Sequence, residues 1–318
     1  MDAEQIELAA TLLRAGKLVA FATETVYGLG ADATNASAVA RIFAAKGRPG
    51  TNPLIVHVAN ADAARRWVLD WPVEAEKLAR AFWPGPLTLV LPKAAAIVDG
   101  VTAGLSTVGI RVPNHPLALA LLAEFDGPVA APSANRSNRI SPTTAEHVRA
   151  ELGEAVDLIL DGGSCEVGIE STVLDLSSER PTILRPGQVT AEKIAEVIGR
   201  PVGLGSVVLE PSKAAASPGQ HRVHYSPTTA TFYFSPPAPA KNGAGYLLLR
   251  CEEPVGAAPV VRMPGEPRAY AQRLYAALRE LDALGLSAIL VEMPPEDAEW
   301  MAVRDRLRRA GREFLPTR

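Results

Sequence analysis

Short, uninterrupted apolar runs alternate along this chain with longer segments whose apolar residues recur every three or four positions. Leu18-Val19-Ala20-Phe21-Ala22 and Leu54-Ile55-Val56-His57-Val58 read as buried strands, as do 87–91, 107–112, 128–131, 156–160, 171–176 and 181–185. Helical spacing, as at Val39, Ile42 and Phe43, predicts helices over 4–15, 36–46, 73–82, 116–125, 143–152 and 190–199, with Gly47 closing the second of them. Such alternation predicts an α/β fold and leaves the strand order open. From Gly205 to Pro227 the periodicity fades and Pro211, Pro218 and Pro227 punctuate the chain. A second alternation follows, with strands at 230–234, 245–249 and 288–291 and helices near 268–284 and 296–311. The expected division is a first α/β domain over 1–204, a linker over 205–228 and a smaller parallel or mixed α/β domain over 229–318.

A length of 318 residues with 47% hydrophobic composition suits two cores better than one. The formal charge of −3 gives no basic excess, so any phosphate site must come from local placement of cations. That counts against a stand-alone RNA-binding module. Met1-Asp2-Ala3-Glu4-Gln5 lacks the basic flank and apolar core of an export signal, and no apolar run is long enough to cross a bilayer, so a cytoplasmic protein is expected. Cys165 and Cys251 fall in different predicted domains without metal-ligand spacing, which favours free thiols over a disulfide or zinc. His115 and His147 sit on helix-like segments as ordinary boundary residues. His57, His221 and His224 lie nearer the polar motifs, and no histidines are spaced for a metal.

Lys46-Gly47-Arg48-Pro49 places two cations on a turn with no acid beside them, and Pro132-Ser133-Ala134-Asn135 and Ser141-Pro142-Thr143 add hydroxyl and amide groups on other turns. Together these suit a polyphosphate, with Arg185 as a third candidate cation. Thr143 with Glu146 three positions on forms a capping box and predicts a helix start there. Ser141 would then lie beside exposed backbone N–H groups that favour an anion, although plain capping is the other reading. Thr23-Glu24-Thr25-Val26-Tyr27-Gly28-Leu29-Gly30 reads as a hydroxyl-rich loop at the end of a buried strand, a common ligand position. Its glycines lack dinucleotide or P-loop spacing, which disfavours a Rossmann dehydrogenase or Walker ATPase. Glu24 reads equally as a base, a cap or the partner of a neighbouring cation. Arg304, Arg306, Arg308 and Arg309 read as a basic helix face, with a solvated surface favoured over a nucleic-acid contact.

Seven motifs carry a family resemblance: Thr23-Glu24-Thr25-Val26-Tyr27-Gly28-Leu29, Lys46-Gly47-Arg48-Pro49, Asn52-Pro53-Leu54, Trp83-Pro84-Gly85-Pro86-Leu87-Thr88, Gly109-Ile110-Arg111-Val112-Pro113, Pro132-Ser133-Ala134-Asn135 and Leu184-Arg185-Pro186-Gly187. In order and spacing they resemble the YrdC-like family of threonylcarbamoyl-AMP synthases over about residues 5 to 200. Ser217-Pro218-Gly219 and His224-Tyr225-Ser226-Pro227 resemble the linker of its longer, two-domain form. The resemblance implies a YrdC-like twisted mixed sheet with an open concave face, plus a small Rossmann-like C-terminal domain. It implies that L-threonine, bicarbonate or CO2, and ATP give threonylcarbamoyl-AMP and pyrophosphate, and that other proteins pass the threonylcarbamoyl group to tRNA.

On the nucleotide side the resemblance implies Lys46, Arg48, Asn52, Thr107, Ser133, Asn135, Ser141 and Arg185, joined by His224 and Tyr225 from the linker. Lys46 and Arg48 are the expected catalytic pair, as candidates for the phosphate contacts. On the threonine side it implies Arg111 for the carboxylate, with Thr25, His57, the backbone around Ala131, and Ser171; taken alone, His57 reads as a satisfied strand histidine. Mg2+ is expected to travel with ATP, without protein ligands being assigned and without an organic cofactor. Direct contact with tRNA is left open. The linker is expected to close over the cleft as a lid bearing His221, His224 and Tyr225, with a passive tether as the other reading. Two other function classes compete: a double-stranded RNA or tRNA-binding module on a basic concave face, opposed by the sequence pI near 6.0, and a carbamoyltransferase using carbamoyl phosphate. The latter would bring acylphosphatase-like or zinc-finger segments, which the sequence does not show.

Overall fold

The computed structural model describes residues 3–205, 224–257 and 259–315. The first part runs, in chain order, α1 (Ala3–Arg14), β1 (Val19–Phe21), β2 (Gly28–Asp32), α2 (Ala36–Lys46), β3 (Ile55–His57), α3 (Ala61–Arg65), α4 (Val73–Phe82), β4 (Leu87–Pro92), α5 (Asp99–Thr102), β5 (Thr107–Arg111), α6 (Pro116–Phe125), β6 (Val129–Ala130), α7 (Ala145–Leu152), β7 (Leu158–Leu160), β8 (Thr172–Asp175), β9 (Thr182–Arg185), α8 (Ala191–Ile198) and β10 (Gly203–Leu204). The second part runs β11 (Thr231–Phe234), β12 (Ala244–Leu248), β13 (Val260–Arg262), α9 (Pro267–Asp282), β14 (Ala288–Glu292), α10 (Met301–Ala310) and β15 (Arg312–Glu313).

Among the described residues the first part forms a ten-stranded mixed sheet in the order β10-β9-β8-β4-β5-β3-β6-β2-β1-β7, and the second a five-stranded sheet in the order β13-β12-β14-β11-β15. Every described pairing in the second sheet is parallel. The mixed first sheet and the α/β character of both parts agree with the reading of the sequence. The segment 206–223, which holds most of the expected linker including His221, lies outside the described residues.

Local chemistry sets the ends of α2, which delivers the first cations. Asn35 caps its start by accepting from the N–H groups of Ser37 and Ala38, and Gly47 ends it at φ +59°. The Arg48 N–H then bonds back to the Phe43 carbonyl at 3.0 Å, so the chain turns sharply just as Arg48 is presented. The start of α7 differs from expectation by one residue. Thr144, not Thr143, accepts from the His147 N–H, while the Thr143 hydroxyl faces the His147 ring at 3.4 Å.

The loop expected over 23–30 also ends early, because β2 begins at Gly28. A Cβ at Gly30 would lie 2.9 Å from the side chains of Phe21 and of Val129, so the neighbouring strands fill the space where a side chain would stand. That close approach is why a real strand carries a loop-like composition.

One core cluster packs one face of the large sheet through Leu29, Val56, Leu89, Ile110 and Leu174. Another cluster joins the two domains, with Val26, Ile140 and Ile169 packing among Tyr225, Tyr270, Ala271, Leu274 and Tyr275. The approach is closest at Gly168, which sits at φ +76°; a Cβ there would lie 2.4 Å from the Gln272 Cα and 2.6 Å from the Ala271 carbonyl oxygen on α9. Glycine is required twice over, by the backbone angle and by the helix lying against it. Gly168→Ala is expected to cost more than the roughly 1–2 kcal/mol of the left-handed conformation alone. It should lower the melting temperature by several degrees and expand the small-angle scattering profile as α9 lifts. An unchanged melting temperature would show that the contact does not hold the domains together.

Candidate functional site

Strand parity builds the site. On β3 and β5 the pairs Ile55↔Gly109 and His57↔Arg111 stand on one face of the sheet, and Val56 and Ile110 stand on the core face. Further along, a register shift between Val173 and Leu174 lets Val173 pair with Arg185, and thereby brings Arg185 beside Ser171. The open face of the sheet thus collects His57, Arg111, Ser171 and Arg185 from segments far apart in sequence. The turns carrying Thr23, Thr25, Arg48, Ala131 and Ser133 close around them, and His224 and Tyr225 lie over the top. The hollow so enclosed is about 40 Å³.

Each cation has a partner. The Arg111 guanidinium donates to the Gly85 carbonyl at 3.2 Å and to the Thr25 hydroxyl at 2.9 Å. It also lies 2.7 Å from Glu24. Of the three readings open for Glu24, the structure selects the ion pair. The contact lacks the alignment of a hydrogen bond, so both buried Glu24 oxygens keep acceptor capacity. Arg48 donates to the carbonyls of Asn52 and Pro53 at 3.1 and 2.8 Å. Arg185 donates to the Ser171 carbonyl and hydroxyl, both at 3.1 Å. The Lys46 ammonium donates to the carbonyls of Ser133 and Asn135.

These groups are dry, and dryness shifts them. Burial, with Arg48 nearby, pulls Lys46 well below its ordinary value. Burial takes Arg48 down to about 9, although Tyr225 opposes the shift. Burial and then the Arg111 charge hold His57 neutral, down to about 3. A concentrated anion entering here would replace carbonyl partners and favour the charged forms of Lys46 and Arg48.

The covering segment is tied to both domains. The His224 N–H donates to the Arg309 carbonyl at 3.1 Å and the Ser226 N–H to the Asn138 carbonyl at 2.8 Å. Tyr225 sits at φ +61°, stacks on Tyr275 with ring centroids 5.8 Å apart, and lies under the Arg306 guanidinium at 5.3 Å. Holding a bulky residue in that backbone region stores strain, which the surrounding contacts offset.

Most of the expected residues meet here. Thr25, Arg48, His57, Arg111, Ala131, Ser133, Ser171, Arg185, His224 and Tyr225 line the hollow. Lys46 and Asn52 stand one contact behind it, through the carbonyls of Ser133 and Asn52. Asn135 is held in that same layer by its carbonyl bond to Lys46. Ser141 donates to Glu170 at 2.6 Å. Thr107 stands apart, in a smaller cavity that meets this one at Ile55. The oxygens of the Asn52 and Asn135 side chains, Nδ1 of His57 and of His224, and the Tyr225 hydroxyl have no hydrogen-bond partner among the described residues.

The solvated basic face expected near the C-terminus holds at Arg308, which is exposed, and is corrected at Arg304 and Arg306. Arg306 is completely buried and Arg304 nearly so, because α10 packs these side chains inward against acids and carbonyls. Sequence reasoning also missed Glu170, which lines the hollow, and Tyr275, which donates to it. The one available signal was an acid preceding a buried strand, in Ile169-Glu170-Ser171-Thr172.

Comparison with known proteins gives a consistent picture. Residues 11–187 match the Sua5, YciO and YrdC family, described as telomere recombination. Residues 189–311 match the threonylcarbamoyl-AMP synthase C-terminal domain. The chain is similar to a threonylcarbamoyl-AMP synthase of Pyrococcus abyssi, 41% identical over 96% of this chain and 94% of that protein. It is also similar to one of Bacillus subtilis, 42% identical over 96% of this chain and 93% of that protein. The crystal structure of P. abyssi Sua5 complexed with L-threonine superimposes with a TM-score of 0.89 at 38% identity, covering 99% of this chain and 97% of that one.

The acid at the domain junction generates a pH prediction. Burial alone would raise the Glu170 carboxyl, but Arg306 and Arg185, with hydrogen bonds from Ser141 and Arg306, hold it down to about 2. A depressed carboxyl contributes stability that is complete above its unfolded value of about 4.3 and is lost as pH falls through the folded value. In urea unfolding, the stability gap between the natural chain and Glu170→Gln should be constant above about pH 5 and narrow steadily below about pH 4. A gap that does not change with pH would remove the ion pair from the account.

Proposed function

The chain belongs to the threonylcarbamoyl-AMP synthase family, and on that premise we propose that its hollow performs a nucleotidyl transfer in which L-threonine, CO2 or bicarbonate and ATP give threonylcarbamoyl-AMP and pyrophosphate. The observation that carries this reading is the convergence of Arg48, Arg111 and Arg185 on one buried hollow ringed by polar atoms without partners. Buried polar groups of this kind are rarely left unsatisfied. The cations fall into two groups, which suits a substrate pair with a carboxylate at one end and a polyphosphate at the other.

In the threonine half, Arg111 takes the amino-acid carboxylate, with Thr25, Ser171, His57 and the backbone at Ala131 around the rest of the molecule. Its guanidinium is already fixed by Gly85 and Thr25, so little ordering remains when the substrate binds. In the nucleotide half, Lys46, Arg48 and Arg185 offset the phosphates, with Ser133, Asn135, Asn52, Ser141 and Thr107 nearby. The neutral amine of threonine attacks CO2 to give a carbamate and releases a proton. A carbamate oxygen then attacks the α-phosphorus, and pyrophosphate leaves with the electron pair of the broken P–O bond. No protein nucleophile takes part, so rate comes from alignment and charge compensation.

Mg2+ is proposed to enter with ATP. Among the described residues no three His, Cys, Asp or Glu side chains are grouped to hold a metal, and Glu170 is engaged by Arg306. None of the described helices is long and apolar enough to cross a membrane. We place the protein in the cytoplasm, upstream of the proteins that move the threonylcarbamoyl group to tRNA.

A volume of about 40 Å³ is far below the roughly 300–1,000 Å³ of small-molecule sites, so the His224-Tyr225 segment must lift for ATP to enter and close again to exclude water. Closure matters because the carbamate and the mixed anhydride both hydrolyse.

Incubation with ATP, L-threonine and bicarbonate, read by mass detection of the adenylate and pyrophosphate, tests the reaction; omission of threonine or bicarbonate should abolish the product. Arg111→Ala should raise the threonine KM by roughly ten- to a hundredfold, while Lys46→Ala and Arg48→Ala should chiefly impair ATP use by a similar factor. The opposite pattern would mean that the two halves are exchanged. Replacing His224 and Tyr225 together with Ala should lower adenylate yield per ATP cleaved, and an unchanged ratio would reject a closing role.

A further inference from the structure

The Glu170 carboxylate faces the hollow that, on the function proposed above, receives the phosphates of ATP. A bare carboxylate there would repel the nucleotide. Its partners come mostly from the other domain. Ser141 donates to Oε1 from the same domain at 2.6 Å. From α9, the Tyr275 hydroxyl lies 3.1 Å from Oε2 and 3.3 Å from Oε1. From α10, Arg306 donates through Nε to Oε2 at 2.8 Å and through Nη2 to the Glu170 backbone carbonyl at 3.3 Å.

Arg306 is itself fixed across the boundary, with Nη1 donating to the Pro186 carbonyl at 2.8 Å and to Asp305 at 2.9 Å. Its side chain has no exposure. Arg185, a nucleotide-side residue that lines the same hollow, also draws the Glu170 carboxyl down and would remain without this guanidinium. Glu170 would then compete with phosphate for Arg185.

We propose that Arg306, supported by Tyr275, is a positioning residue supplied by the C-terminal domain to the nucleotide half of the site: it neutralises Glu170 and leaves Arg185 for the phosphates. The second domain thereby completes the ATP site while leaving the threonine half to the first domain, because Arg111 and its partners Glu24, Thr25 and Gly85 all belong to the first domain.

The test measures MgATP and L-threonine binding separately by calorimetry on the full chain. Arg306→Ala should weaken MgATP binding about tenfold or more, as expected when a buried charge loses its partner, and leave threonine within about twofold. Adding Glu170→Gln to Arg306→Ala should restore most of the lost MgATP affinity, since removing both charges is far milder than removing one. A merely structural role would give a double variant no better than the single one, and that result overturns the proposal, as does equal weakening of both ligands. Should Arg306→Ala fail to fold by circular dichroism, Tyr275→Phe keeps the stacked ring and removes one donor to Glu170. A smaller MgATP loss that Glu170→Gln erases supports the proposal, and unchanged MgATP binding in Tyr275→Phe overturns it. A natural chain that binds no MgATP overturns both this inference and the function on which it rests.

Discussion

A site for a polyanion in a dry hollow requires several cations to be buried together before the anion arrives, and a buried charge without a partner is among the costliest features a fold can carry. The structure meets this constraint with borrowed oxygen. Arg48, Arg185 and Lys46 rest on backbone carbonyls, which neutralise little charge and, on the proposed function, would be exchanged for phosphate oxygens. Arg111 and Arg306 rest on the carboxylates of Glu24 and Glu170, which do neutralise them. On the proposed function the first group gives up its partners to phosphate, whereas the second keeps its acids, Arg111 while also taking the threonine carboxylate.

That division links the two domains. The large sheet supplies the floor, and its open face gathers alternate residues of several strands. The second domain contributes a helix face that presses on Gly168 and a guanidinium that reaches Glu170. Tyr225 lies between them, stacked on Tyr275 and under Arg306, so the covering segment rests on the same groups that hold the domains together. Opening the hollow and loosening the domain junction therefore draw on shared contacts.

Much of the architecture was readable from one-dimensional pattern. Expected helices at 36–46, 73–82 and 116–125 match α2, α4 and α6 to the residue, because their apolar faces and end signals coincide. Strand β2 was hidden by Gly28 and Gly30, whose presence answers to the side chains of Phe21 and Val129 on neighbouring strands. The cap of α7 fell one residue late, since adjacent threonines offer the same hydroxyl and only backbone geometry chooses between them. Thr107 shares its strand with Arg111, but a four-residue separation places it at the far end, in the adjoining cavity.

The sequence by itself determined the alternation of elements and the motifs that mark the family, and through those motifs ten of the sixteen residues lining the hollow, because those signals are local in the chain. Only the tertiary structure decided which charges neutralise which. Arg306 reads as one arginine in a basic helix, and nothing within that helix marks it as the partner of an acid 136 positions earlier. Electrostatic pairing depends on distance in space and on the exclusion of water, and both exist only once the two domains have packed.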